Sequence, residues 1–190
     1  TWAFGTGALG SVTIASAQLF TRPFPTSFIT TSGTAITRAA DILTVGPVGG
    51  VPFEGWRADE GTFVVSWVAN APTNVQRILT VSSSGGANRV IDINISLNKI
   101  GLFNGTAQID SGVAATTSRQ VAAAAYKSGD YAISVDGSVP VTNTDATVNS
   151  PSGMWICAFS AGNNQLFGTV ESVTYFPTRL SNAELQALTS

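Results

Sequence analysis

Between residues 61 and 176 the chain is a succession of short β-prone runs, at 61–70, 76–82, 89–96, 99–103, 119–127, 130–135, 154–158 and 166–176, each bounded by Gly, Asn, Asp, Ser or Pro. Within them apolar and polar residues tend to alternate, most plainly in Ile91-Asp-Ile-Asn-Ile95. A period of two places one set of side chains on a core and the other set away from it. Regular short strands with turn signals between them argue against helical crossovers, so an all-β, antiparallel two-sheet sandwich is predicted. Ala122 to Ala125 is the one run with helical propensity, but Lys127-Ser-Gly-Asp130 reads as a hairpin turn feeding Tyr131-Ala-Ile-Ser-Val135, so both sides are read as strand.

The last strand stops at Pro177, and Ser181 then opens a short helix. Ser181 stands three residues before Glu184, the spacing at which a hydroxyl and a carboxylate satisfy each other's free backbone N–H groups. Leu180, Leu185 and Leu188 are placed to pack this helix on the sandwich. Upstream, residues 11–20 alternate Val12 and Ile14 with small polar residues before Arg22, Pro23 and Pro25 end the pattern. A Thr-rich connector runs through Gly33, residues 35–45 lead into the main body, and 46–52 form a Gly- and Pro-rich loop. This division predicts the end of a preceding β-domain and connector over 1–33, then the sandwich over 34–190. Thr1 and Trp2 enter strand-like sequence directly, which reads as a piece of a longer polypeptide.

Charge limits the partners. Only 11% of the 190 residues are charged, and the net charge is −2 with nine scattered Lys and Arg, which offers no basic patch for a nucleic acid. There is no apolar run of transmembrane length, so no membrane insertion is expected. The single Cys157, beside Ile156, Ala158 and Phe159, reads as a buried thiol. The chain contains no histidine, which removes Ser-His-Asp triads, Cys-His dyads and histidine metal sites together.

Three motifs carry a family resemblance. Ala17-Gln-Leu19, followed by Phe24-Pro-Thr-Ser-Phe-Ile29 and Thr37-Arg-Ala-Ala-Asp41, resembles the junction in tailed-bacteriophage fibre and spike proteins at which a small β-domain meets a concanavalin A-like, laminin G-like sandwich. Tyr175-Phe-Pro-Thr-Arg-Leu-Ser-Asn-Ala-Glu-Leu-Gln-Ala-Leu188 is similar to that sandwich's last strand and closing helix, and the strand from Arg119 to Lys127, ending in Ala-Tyr-Lys, with Val135-Asp-Gly137 is similar to its central hairpin. One departure is Phe20, where such proteins commonly carry an acidic residue. The resemblance implies a jelly-roll sandwich and a virion-surface module that contacts host-surface glycan, with other virion proteins as partners and a homotrimer as the assembly. The same fold also serves as a carbohydrate-binding module of secreted polysaccharide-degrading enzymes, which is the alternative reading.

Catalysis is not expected. A glycosidase needs two carboxyl groups across the scissile bond, and the Glu-x-Asp-x-x-Glu strand of glycosidases with this fold is missing. Asp59 and Glu60 are adjacent in a turn. Asp92 has only Asn94 beside it on its face, to be read as a solvated strand face or a ligand-contacting polar pair. No metal ligand set or cofactor is predicted, although Asp110 or Asp145, with backbone carbonyls, could supply a calcium site. For a sugar, an exposed ring, planar amides and arginine are the useful groups. Trp67, in phase with Phe63 and Val65, and Trp155, beside Ile156, read as core. Trp56, in Phe53-Glu-Gly-Trp-Arg57, is either a sugar platform or a plug for the sandwich end. With Arg57, Asn88, Arg89, Asp92, Asn94, Asn163 and Asn164 it makes up the candidate carbohydrate-binding set.

Overall fold

The computed structural model describes residues 43–47, 50–72, 75–83, 89–159 and 164–190. The predicted segment 1–33, its boundary at residue 34 and the junction motifs up to Asp41 lie outside the described residues, as do Asn88 and Asn163.

In β4 (Ile91–Ser96) the alternation is realised as expected: Ile91, Ile93 and Ile95 enter the main core, and Asp92 and Asn94 take the other side. β4 lies within a six-stranded antiparallel sheet with β1 (Leu43–Val45), β10 (Gly153–Ile156), β3 (Gln76–Ser82), β5 (Lys99–Phe103) and β6 (Gln108–Ala114), in the order β1-β10-β3-β4-β5-β6. The facing sheet has five strands in the order β11-β2-β7-β8-β9, namely β11 (Gly168–Phe176), β2 (Glu60–Ala69), β7 (Arg119–Lys127), β8 (Tyr131–Val135) and β9 (Val141–Asn143). Phe63, Val65 and Trp67 from β2, Ile133 and Val135 from β8, and the β4 isoleucines fill the space between the sheets without exposed surface. Burial of each such large side chain stabilises the fold by roughly 1.5–3 kcal/mol.

The two-sheet sandwich with one late helix is therefore the observed fold. β3, β5 and β7 have the predicted bounds, whereas β1, β6 and β9 are not separate strands in the sequence pattern. Tight turns set the register. Leu97 and Asn98, with φ of 51° and 61°, join β4 to β5, and Asp136 and Gly137, at 46° and 74°, follow β8. Positive φ at both central residues is the turn whose twist matches antiparallel strands. Cys157 is half-buried rather than fully enclosed, also at positive φ, and burial raises its thiol pKa.

The four alanines of β7 divide by parity. Ala122 and Ala124 face the main core; Ala123 and Ala125 face outward, where with Ala132 they receive Leu185 of α1 (Asn182–Leu188). The helix start is fixed by reciprocal bonds: Ser181 Oγ accepts from the Glu184 N–H, and Glu184 Oε2 accepts from the Ser181 N–H at 2.7 Å. At the other end Thr189 Oγ1 lies 3.0 Å from Ser134 Oγ and accepts from the Gly137 N–H. Ser181→Ala is expected to lower the unfolding free energy by about 1 kcal/mol, read as a lower urea midpoint; an unchanged midpoint would mean that the cap contributes nothing.

Candidate functional site

The two sheets differ on their outer sides. The five-stranded sheet is covered in part by α1, whereas the outer side of the six-stranded sheet carries a cluster in which two arginines meet one buried carboxylate. Pairing defines its central row: Trp155, Thr80, Asp92, Phe103 and Gln108 are successive cross-strand neighbours from β10 to β6. The next row brings Arg77, Asn94, Gly101 and Asp110 together.

Asp92 is the centre of this face and has no exposed surface. The expectation that it and Asn94 form a solvated strand face is corrected: both stand opposite the isoleucines, but both are buried. The cause is a roof of arginine and aromatic groups. Arg77 Nη1 lies 2.8 Å from Asp92 Oδ2, and Arg89 Nη1 lies 3.5 Å from the same oxygen. Thr80 Oγ1 donates to Asp92 Oδ1 at 3.4 Å. The Arg89 guanidinium is centred 4.5 Å from the Phe159 ring and 4.7 Å from Phe103, so two aromatic faces hold it. Asn94 donates to the Asp92 carbonyl at 2.9 Å and exchanges amide hydrogen bonds with Gln108 at 3.3 Å.

Arg77 reaches this face because of a bulge. Simple alternation would group Arg77 with Leu79 and Val81 on the core side. The register of β3 shifts between Arg77 and Leu79, where Ile78 is the extra residue, and the shift turns Arg77 to the side of Asp92. The Asn164 carbonyl accepts from the Arg77 N–H at 2.7 Å, anchoring the segment before β11. Of the predicted set, Arg89, Asp92 and Asn94 are thus brought together, and Asn164 meets the cluster through its backbone carbonyl. Arg77, Phe103, Gln108 and Phe159 were missed, Arg77 because the bulge leaves no trace in periodicity. Trp155 is also corrected: it is buried, but it stands beside Thr80 on the outer side and not in the core between the sheets.

Trp56 and Arg57 form a different cluster. Trp56 is half-buried, stacks on Tyr126 at 5.0 Å and on Tyr175 at 5.9 Å, and meets the edge of Phe53, which is the geometry of the plug. The Tyr126 and Tyr175 hydroxyls lie 2.9 Å apart and hold the Arg57 backbone from both sides. The exposed Arg57 side chain forms a fork with Asp59 and holds the Asp59 carboxyl well below the usual range. Asp110 is paired with Lys99 at 2.9 Å, and Asp145 contacts Asn143. Among the described residues no group of three or more Cys, Asp or Glu converges as a metal site would require.

The electrostatics of the outer face are set by competition. Burial raises the Asp92 pKa to about 6, against the opposing pull of Arg77 and Arg89. Burial also lowers the pKa of Arg89. Near neutral pH the two guanidiniums share the one carboxylate of Asp92. Asp92, without exposed surface, cannot reach a substrate oxygen and serves as a counter-ion. The partly exposed guanidiniums are the groups an approaching molecule would meet, as planar donors suited to carboxylates and hydroxyls.

No protein-family model matches the chain, and no curated protein matches it in sequence. The fold is similar to the carbohydrate-binding module (CBM40) of the Ruminococcus gnavus IT-sialidase, with a TM-score of 0.57 at 16% identity over 70% of this chain and 84% of that one. It is similar to the same module bound to α2,6 sialyllactose, with a TM-score of 0.57 at 17% identity over the same shares. Trypanosoma rangeli sialidase matches with a TM-score of 0.56 at 18% identity over 69% of this chain and 22% of that one. At these identities the likeness is one of fold. The phage-fibre resemblance of the motifs has no counterpart among these structures.

Because Asp92 binds its proton more tightly in the folded domain than in the unfolded chain, its stabilising contribution is present below the ordinary pKa of 3.8 and lost as pH rises through about 6. The stability difference between wild type and Asp92→Asn is therefore expected to fall by on the order of 3 kcal/mol from about pH 4 to about pH 7, measured by urea titration. A pH-independent difference would mean that the carboxyl is not raised.

Proposed function

We propose that this domain is a non-catalytic carbohydrate-binding module of an extracellular glycan-processing protein, and that its glycan carries a carboxylate. The observation that carries this reading is the pair of guanidiniums, Arg77 and Arg89, sharing the single buried carboxylate of Asp92 on the outer side of the six-stranded sheet. Planar guanidiniums suit a carboxylate, and the ring contacts of Arg89 with Phe103 and Phe159 fix one such donor in advance of binding. Support comes also from the fold neighbours, one of which is a module bound to α2,3 sialyllactose. These neighbours favour the module over the virion fibre, and the homotrimer and virion partners implied by the motif resemblance are not carried into the proposal.

Acidic and neutral oligosaccharides, screened on an array and then by calorimetry, test the reading. Acidic glycans should bind with an affinity that falls as salt rises, and Arg89→Gln should weaken them about tenfold or more. No enzyme-dependent release of sugar should accompany binding. Equal binding of neutral glycans, or an Arg89→Gln variant with undiminished affinity, would defeat the proposal.

A further inference from the structure

Beyond the arginine pair, the same sheet side holds a shallow recess of about 120 Å³ beside the turn between β4 and β5. Its lining includes Leu97, Lys99, Gly101, Gln108 and Asp110. The recess is continuous in register with the Asp92 cluster. Gln108 lies over Gly101, where an added Cβ would come within 2.2 Å of the Gln108 amide nitrogen, and this position lets Gln108 pair with Asn94. Asn94 and Ser96 stand two and four residues beyond Asp92 on one strand face, about 6.6 Å per two-residue step.

Leu97 is the unexplained member. It is 90% exposed and held at φ +51°, a left-handed backbone that favours Gly or Asn over a branched apolar residue. Neither the turn nor the core gains from a leucine there. A strained, solvent-facing apolar residue at the rim of a polar recess is an observation from which a contact role can be argued. The apolar rim matches the C–H face of a pyranose, while the Gln108 amide, the Lys99 ammonium and the Asp110 carboxylate supply donors and acceptors for ring hydroxyls.

We infer that this recess is a second sugar subsite, which takes the glycosyl residue next to the acidic one held at Arg77 and Arg89, with Leu97 as its apolar contact. The inference rests on the glycan reading of this sheet side, and its test separates the two. The affinities of α2,3-sialyllactose and of trigalacturonate are each measured against those of their acidic monosaccharides. In the wild type the trisaccharide of the recognised pair should bind more tightly. Leu97→Asn should reduce the trisaccharide-to-monosaccharide affinity ratio by about tenfold, the effect of losing one partly buried leucine contact. Val139→Asn, at another exposed apolar position, should leave the ratio unchanged. In methyl spectra of the wild-type domain, the Leu97 methyl signals should move with the trisaccharide and stay in place with the monosaccharide.

A ratio unaffected by Leu97→Asn, or Leu97 methyl signals that ignore the trisaccharide, would overturn the subsite and leave the arginine site intact. An equal loss of ratio in Val139→Asn would also overturn it. Absence of binding to either pair by the wild type would overturn the glycan reading and the subsite with it.

Discussion

A carboxylate without contact to water must be matched by charge or by a proton, since leaving it ionised and alone in a low-dielectric setting is too costly. Asp92 imposes that requirement on the six-stranded sheet, and much of the outer side follows from it. Arg77 must be turned outward, which the bulge in β3 achieves. Arg89 must be held over the strand, which Phe103 and Phe159 achieve. The outcome is a compromise, in which burial keeps the acid weaker than an ordinary aspartate even with two cations beside it. Removing Asp92 outright would leave two like charges facing each other, so the cluster is a unit whose members do not contribute independently.

The main core was legible because its rule is local. Period two in β2 and β4 identifies Phe63, Val65, Trp67 and the isoleucines, and the Ser181–Glu184 spacing identifies the helix start. The site was only half legible, for a reason seen in single residues. Asp92 and Asn94 could be placed on a face from alternation, but whether that face meets water depends on Arg77, Arg89 and Phe159, which arrive from other parts of the chain. Arg77 itself has the wrong parity until the bulge is known. Trp155 shows the converse: its apolar neighbours suggest the core, yet β10 has Met154 facing inward and Trp155 outward. Trp56 could not be assigned between platform and plug without the rings of Tyr126 and Tyr175, more than sixty residues away in sequence.

The sandwich architecture alone favours no activity, since the same two sheets support binding, hydrolysis and purely architectural tasks. What distinguishes this domain is the inequality of its two outer sides. One carries a closing helix and cations that each face a carboxylate, Arg119 with Glu171 and Lys127 with Glu60; the other carries two guanidiniums gathered on one carboxylate, amides and a recess. A ligand-binding reading follows from that asymmetry and from the chemistry of the groups involved, with the fold serving to hold them in register.

The alanine parity of β7 has a geometric consequence. With methyl groups on both sides, this strand acts as a spacer between three layers: Ala122 and Ala124 set how near the sheets approach, and Ala123 and Ala125 set how near the helix settles. Thickness on the two sides is therefore encoded independently in adjacent residues of one strand. Added bulk on one parity would tilt the helix outward, and added bulk on the other would wedge the sheets apart, so the domain's closure and its interior can diverge in evolution without sharing a single side chain.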